Sequence, residues 1–342
     1  MQAALVGVTG YAGMILYQLL KGHPNVKKIH LYDHKLTESA PLSTVAPVFK
    51  SESKPVFPYD PQQIMTDNDV VFFATSAGVT SKLSQPYLAN GFPVIDLSGD
   101  MRLNDAGDYQ KWYHKPAAPE NLMRQAQYGL AEFESARGQT YVANPGCYAT
   151  ATLLGLAPLV QQHLIAVDSI VVDAKSGTSG AGKKLSTTTH FTEANDNLQI
   201  YKPNQHQHIP EIVQELKNWD PTISTIQFMT TLLPITRGIM STIYARLNHG
   251  VDQATILKAY HDTYDDQPFV HVTDTDLPTI KQVIGTNNCD IGLAVNSQTG
   301  FVMVASVIDN MLKGAAGQAV QNLNQLFNYE PTAGLDLQPT LI

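Results

Sequence analysis

Cysteine is scarce: Cys147 and Cys289 are the only two in 342 residues. Two thiols so far apart exclude a disulfide scaffold and fit a reducing compartment, the cytoplasm. Charge is also low. Asp, Glu, Lys and Arg make up 15% of the chain, against about 25% in an average soluble domain. The balance is acidic, with 22 basic against 30 acidic residues and a net charge of −8. With no basic cluster, nucleic acid and anionic membrane are excluded as partners. No apolar run approaches the ~18 residues of a membrane span. The chain opens directly on a strand-like run, Ala3 to Val8, with no basic leader ahead of it, so no signal peptide is expected. Internal repeats and low-complexity tracts are missing too. What is present is an ordinary 43% of hydrophobic residues and enough length for about two domains at ~150 residues each.

The first part alternates strands and helices. Residues 3–8 read as a buried strand, Gly7 to Gly13 as a glycine turn, and Ile15, Leu16, Leu19 and Leu20 as a helix ending at Gly22. Lys28–Tyr32, Val70–Ala74 and Val94–Leu97 are further strands, which suggests a parallel, doubly wound sheet. After Asn144 the texture changes. Residues 148–163 read as one helix with Leu153, Leu156, Leu159 and Val160 on its apolar side. Strand patterns follow at 169–173, 226–233, 241–247, 291–295 and 302–308, as in an α+β domain with a mixed or antiparallel sheet. Asn310 to Phe327 reads as a last helix, free to return to the first domain. The tail from Pro331 looks irregular.

Gly7-Val8-Thr9-Gly10-Tyr11-Ala12-Gly13 follows a strand and opens a helix. Glycines allow a close approach to a pyrophosphate, and the first N–H groups of the helix hold the anion. The spacing is G-x-x-G-x-x-G instead of the commoner G-x-G-x-x-G; a plain strand–helix turn is the alternative. Asp33 lies at the end of the second strand, where an acidic residue accepts the ribose 2′-hydroxyl and favours NAD over NADP. His34 and Lys35 beside it can offset that charge, so composition leaves the cofactor open.

Cys147 sits in Asn144-Pro145-Gly146-Cys147-Tyr148, just before the long helix. Asn144 is the expected N-cap and Pro145 an early helical residue. A thiol there feels the positive helix end, which raises the thiolate fraction; a buried structural cysteine is the alternative. Cys289, leading into a strand, reads as structural. His206-Gln207-His208-Ile209-Pro210-Glu211 precedes a helix, and in an extended segment His206 and His208 share a face. A metal chelate would need further ligands that the sequence does not supply. Ser176 to Lys184 is glycine-rich but lacks phosphate-loop spacing, so it either touches a cofactor or is only a flexible loop. Arg102 and Arg237 are candidate anion clamps.

Taken together and in this order, the motifs resemble the N-acetyl-gamma-glutamyl-phosphate reductase family, nearly end to end. They are Gly7-x-Thr9-Gly10-Tyr11-Ala12-Gly13, Asn144 to Tyr148, Ser176-Gly177-x-Ser179-Gly180-Ala181-Gly182, the His-x-His-x-Pro-Glu-Ile run, and Asp309-Asn310-x-x-Lys313-Gly314-Ala315-Ala316-Gly317-Gln318-Ala319. The resemblance implies a Rossmann-type dinucleotide-binding domain over 1–146, rejoined by a C-terminal helix over 311–330. It implies a catalytic and oligomerisation domain over 147–310. It implies NADPH-dependent reduction of an acyl phosphate to a semialdehyde, releasing phosphate, in a homo-oligomer (dimer or tetramer). Carried over residue by residue, Cys147 is the nucleophile and His208 the acid/base, with His206 beside it. The cofactor contacts fall on Gly7, Thr9, Gly10, Tyr11, Ala12, Gly13, Asp33, Ser76, Ser179, Gly180 and Asn310, and the substrate contacts on Arg102, Arg237 and Glu193. No metal is implied. The sequence departs from the family at Asp33 and His34, where Ser and Arg are usual for NADP, so NAD(H) stays open as cofactor. It departs again at Ala149, where proline is common, and at Thr230-Thr231.

Three other readings stand beside this one. An aspartate-semialdehyde dehydrogenase would run the same chemistry on a free amine. A redox-sensing nucleotide-binding regulator would not need Cys147 for turnover. A Cys–His acyl hydrolase would leave the glycine turn unexplained.

Overall fold

The computed structural model describes residues 1–340. Its contacts divide the described residues into two compact units, Met1–Pro145 with Ala315–Asp336, and Gly146–Gly314 with residues 337–340.

In the first unit the strands are β1 (Gln2–Val6), β2 (Lys28–Asp33), β3 (Ala40–Pro41), β4 (Pro55–Pro58), β5 (Val70–Phe73), β6 (Val94–Asp96), β7 (Ala126–Tyr128) and β8 (Tyr141–Ala143). They lie in the order β3-β4-β2-β1-β5-β6-β8-β7, and only β3 runs antiparallel to its neighbour. Ala3 to Val6 and Val70 to Phe73 are fully buried, as a parallel sheet covered on both faces requires. The order reverses between β1 and β5, so a crevice opens at their carboxyl ends. Asp33 is the last residue of β2, one place further along than the sequence pattern suggested.

The helix Gly317–Leu326 belongs to this unit. Ala319, Val320 and Leu323 are buried as their spacing predicted, but amides do much of the docking. Asn322 Nδ2 donates to Gly129 O at 2.9 Å and to Asn144 Oδ1 at 3.0 Å. Gln318 Nε2 donates to Gly129 O at 3.1 Å, and Gln325 Nε2 to Ala131 O at 2.7 Å. The expected single helix from Asn310 to Phe327 is in fact two: a π-helix over Leu312–Ala316 and an α-helix from Gly317. A glycine pair and the ties at Asp309 and Asn310 described below override the helical spacing there.

A buried carboxyl pair, Asp96 and Asp100, stands at the end of β6 and in the turn after it. Asp96 accepts from Ser98 N, Ser98 Oγ and Tyr141 Oη at 2.7–2.8 Å. Asp100 accepts from Gly78 N, Ser81 N and Tyr109 Oη. Burial, and then the charge of Asp100, push the Asp96 carboxyl up to about 6. A carboxyl that takes its proton more readily in the folded state stabilises the fold at low pH and loses that contribution as pH rises through about 6. Relative to Asp96→Asn, the parent should therefore gain about 1 kcal/mol of stability between pH 7 and pH 5. Urea unfolding of both proteins at the two pH values checks this; a pH-independent difference contradicts it.

In the second unit the strands are β9 (Val171–Ser176), β10 (Gln199–Tyr201), β11 (Gln227–Leu232), β12 (Ile239–Arg246), β13 (Val270–Thr273), β14 (Cys289–Asn296) and β15 (Phe301–Ile308). Their order is β10-β11-β9-β12-β15-β14-β13. The sheet is mixed: β11 with β9 and β13 with β14 are parallel, and the other pairs antiparallel. Against it packs the helix Cys147–Gln161, buried on all sides from Tyr148 to Val160, Thr150 and Thr152 included, where the spacing suggests one apolar side. Its carbonyls at Leu154 and Gly155 accept from Tyr264 and Tyr260, both at 2.5 Å. Cys289 is fully buried at the start of β14.

Candidate active site

The glycine turn stands at the carboxyl end of β1. Gly7 has φ +101°, and a Cβ there would lie 2.6 Å from the Ala74 carbonyl oxygen. Only glycine fits. Gly10 caps the helix Tyr11–Gly22 in extended conformation without a side-chain bond. The first-turn N–H groups of Tyr11, Ala12 and Gly13 have no acceptor within their helix. This cradle, closed to side chains and lined by N–H donors, fits a pyrophosphate. Thr9 lies inside the turn. Ser76 is exposed in the loop after β5, whose first residue Ala74 donates to Val6 O at 2.9 Å. Asp33 is buried at the adjacent strand end. Its Oδ1 accepts from Lys35 N at 2.9 Å and lies 3.8 Å from His34 Nδ1. All these expected cofactor residues meet on one edge of the first unit.

Arg102 is in this unit as well, and is buried. Its Nε donates to Asn144 O and its Nη2 to Leu97 O, each at 2.8 Å. Those bonds hold the backbone three residues ahead of Cys147. Asn144 is not the helix N-cap that its residue type suggested. Gly146 is the cap, with no side-chain bond, and Pro145 stays outside the helix. The Asn144 amide donates instead to Ala315 O at 3.1 Å.

In the second unit Cys147 is the first residue of its helix and half-buried. The helix end directs partial positive charge at this thiol. Gly146 N donates to Glu211 Oε1 at 2.7 Å, and Glu211 is fully buried. The bond joins the Cys147 helix to the helix Ile209–Trp219. His206 and His208 lie in the turn before that second helix, with His208 as its N-cap in αR conformation. The extended segment expected for them is absent, because the chain is already entering the helix. The rings still meet, with centroids 4.7 Å apart. The Tyr148 ring lies 5.1 Å from His206 and 6.1 Å from His208.

His206 is walled by Tyr148, Tyr201 and Phe228. Burial and then the neighbouring His208 push its imidazole down to about 2. Its Nδ1 accepts from His208 N at 3.2 Å, which places its own proton on Nε2. It is a fixed, neutral support. No group of three or more His, Cys, Asp or Glu suited to a metal is found among the described residues.

Arg237, Ser179, Gly180 and Asn310 are gathered in the same unit. Asn310 Oδ1 accepts from Gly238 N at 2.7 Å and its Nδ2 donates to Ser179 Oγ at 3.0 Å. Arg237 grips Asp309 with Nε (3.2 Å) and Nη2 (2.8 Å). Glu193 stands on the short exposed helix Phe191–Ala194, where its N–H donates to His190 O at 3.0 Å and its carbonyl accepts from Asn197 Nδ2 at 2.8 Å. Of the departures, Ala149 is fully buried, while the Thr230 hydroxyl donates to Tyr201 O across β10 and β11. Sequence reasoning missed Glu211, Tyr148 and Asp309. Each belongs to a motif already singled out, but its role depends on a partner distant in sequence.

Two family models cover most of the chain. Residues 2–140 match the semialdehyde dehydrogenase NAD binding domain, and residues 147–310 the semialdehyde dehydrogenase dimerisation domain. The fold and site thus define a semialdehyde dehydrogenase. Curated relatives narrow the class. The N-acetyl-gamma-glutamyl-phosphate reductase of Limosilactobacillus fermentum is 55% identical over 100% of both chains. One from Lactiplantibacillus plantarum is 54% identical and one from Listeria monocytogenes 49%, each over 99% of both chains. The chain belongs to the N-acetyl-gamma-glutamyl-phosphate reductase family. Among solved structures, aspartate semialdehyde dehydrogenase II of Vibrio cholerae shares the fold at TM-score 0.69 and 17% identity, covering 96% of this chain and 98% of that one. The aspartate semialdehyde dehydrogenase of Candida albicans, solved with NADP, does so at TM-score 0.65 and 14% identity, covering 95% and 97%. No helix among the described residues is long and apolar enough to cross a membrane.

Proposed function

We propose that this protein reduces N-acetyl-L-glutamyl 5-phosphate to N-acetyl-L-glutamate 5-semialdehyde and phosphate, a step of arginine biosynthesis in the cytoplasm. Full-length identity to reductases of that name supports the substrate. The single structural observation that carries the reading is Cys147 at the first turn of a buried helix whose next residue, Tyr148, packs its ring against both His206 and His208. The domain roles proposed with it give the dinucleotide to 1–146 with the helical segment that follows Gly314, and the chemistry and the homo-oligomer contact, as a dimer or tetramer, to 147–310 and the turn up to Gly314.

The Cys147 thiolate attacks the acyl carbon, the C–O bond to phosphate breaks, and a thioester forms with inorganic phosphate leaving. Nicotinamide, when bound, supplies the hydride that brings the thioester carbon to aldehyde level. First-turn N–H groups hold the developing oxyanion. His208 gives a proton to that oxygen and takes it back as the C–S bond breaks, so that the aldehyde forms and Cys147 leaves as the thiolate. Arg237, Arg102 and Glu193 are proposed for the substrate side, Arg102 through the Asn144 backbone.

The proposed cofactor is NADP(H), with NAD(H) accepted as well. The Asp33 carboxyl suits a ribose diol, which is why NAD(H) is included. The test runs the reaction backwards. Reduction of NADP⁺ by N-acetylglutamate semialdehyde should require phosphate, and the free-amine aspartate semialdehyde should be turned over at least ~100-fold less efficiently, since an unpaired buried polar group discriminates strongly. Fluorescence titration should give NADPH and NADH affinities within about tenfold, and Asp33→Ser should shift the ratio toward NADPH by about tenfold. Equal turnover of both semialdehydes refutes the substrate, and an unchanged ratio refutes the role of Asp33.

A further inference from the structure

The reading of Cys147 as nucleophile leaves open what holds it from behind. Gly314, far away in sequence, lies against it. A Cβ built on Gly314 would stand 2.7 Å from Cys147 Cβ, 3.2 Å from its Cα and 3.2 Å from Ile308 Cδ1. Carbon atoms rest at about 3.5–4.0 Å, so any side chain at 314 would have to push the nucleophile aside. Gly314 has no need of glycine's left-handed conformation; positive φ is recorded at other glycines. Its requirement is the close approach alone.

The backbone that brings it there is unusual and well anchored. Gly314 N donates to Asp309 O at 3.0 Å, a five-residue reach that forms the π-helix Leu312–Ala316. Such turns are rare and concentrate at functional sites. Before the turn, the fully buried Asp309 carboxyl holds Arg237 and accepts from Gly285 N and Met311 N, both at 2.9 Å. Asn310 ties Gly238 and Ser179. Inside the turn, Lys313 is fully buried with its ammonium 5.8 Å from the Phe269 ring centre. A segment pinned at so many points gives Gly314 little freedom to retreat.

We infer that Gly314 is a positioning residue for the reaction: the π-turn presses its bare Cα against Cys147 and confines the thiol to the rotamers on the open side. It rests on the reductase reading only for its catalytic meaning; the contact itself stands apart. A misplacement of ~1 Å at a reacting atom costs on the order of 100-fold in rate.

Gly314→Ala should therefore lower kcat about 100-fold while leaving the substrate KM within about threefold. The rate of Cys147 alkylation by iodoacetamide, measured across pH 6–9 on folded protein, should change by about tenfold, which a merely structural role would not produce. A second measurement needs no turnover. The Tm loss caused by Gly314→Ala should shrink by more than half in a Cys147→Gly background, where the Cβ it strikes is gone. If Gly314→Ala does not fold alone, recovery of folded Cys147→Gly/Gly314→Ala protein is the expected result. An equal Tm loss in both backgrounds, failure of the double variant to fold where Cys147→Gly folds, or kcat and alkylation within twofold of the parent overturns the inference. A parent without reductase activity would refute the function and leave the Tm comparison to decide the contact.

Discussion

Cys147→Ala should lose phosphate-dependent turnover by roughly 10⁴-fold or more while keeping its fold and its affinity for nicotinamide dinucleotide. The asymmetry follows from the architecture. Cys147 opens a helix whose buried face begins one residue later, and alanine is a better helix former than cysteine. The glycine turn and Asp33 lie in the other unit of the chain. Removing the sulfur therefore deletes the atom proposed to carry the acyl group and leaves the buried run Tyr148 to Val160 of that helix intact. The measurements are initial rates, far-ultraviolet circular dichroism and a dinucleotide titration on the same preparation. Residual activity within tenfold of the parent would remove Cys147 from the chemistry, and lost dinucleotide binding would show that its effect is structural.

The second large effect separates the histidines. His208→Gln should cost about 10²–10⁴-fold in kcat, the usual range for a general acid or base, and should abolish one limb of the pH–rate profile. His206→Asn should cost no more than about tenfold and leave the profile's shape alone. The His206 imidazole, pushed down to about 2 by burial, stays neutral throughout any working range. Its service is to accept the His208 N–H, which an asparagine oxygen can also do. The check is kcat and kcat/KM for both variants from pH 5.5 to 9. A lost limb in His206→Asn, with an intact one in His208→Gln, would exchange the two roles.

Much of this was legible from residue order. The Gly7–Gly13 turn between a strand and a helix, and the buried runs at 3–6 and 70–73, are local patterns whose geometry follows from steric rules and periodicity. So is Cys147 before a long helix. Local rules failed where distant partners compete. Asn144 looked like a cap, yet its amide serves Ala315 and Asn322, because a buried polar group goes to whichever partner burial leaves it. The His206–His208 segment looked extended, yet the following helix captures it. Asn310–Phe327 looked like one helix, yet Asp309 and Asn310 are held by groups around Ser179, Arg237, Gly238 and Gly285.

The sequence by itself determined the two-part α/β organisation, the dinucleotide turn, and the residue types needed for thioester chemistry. Each depends on neighbours along the chain. Tertiary structure alone decided that His206 is walled in and kept neutral, what Glu211 holds, and why residue 314 has no side chain. Those are matters of burial and of distances under 4 Å between residues far apart in sequence, and no spacing rule encodes them.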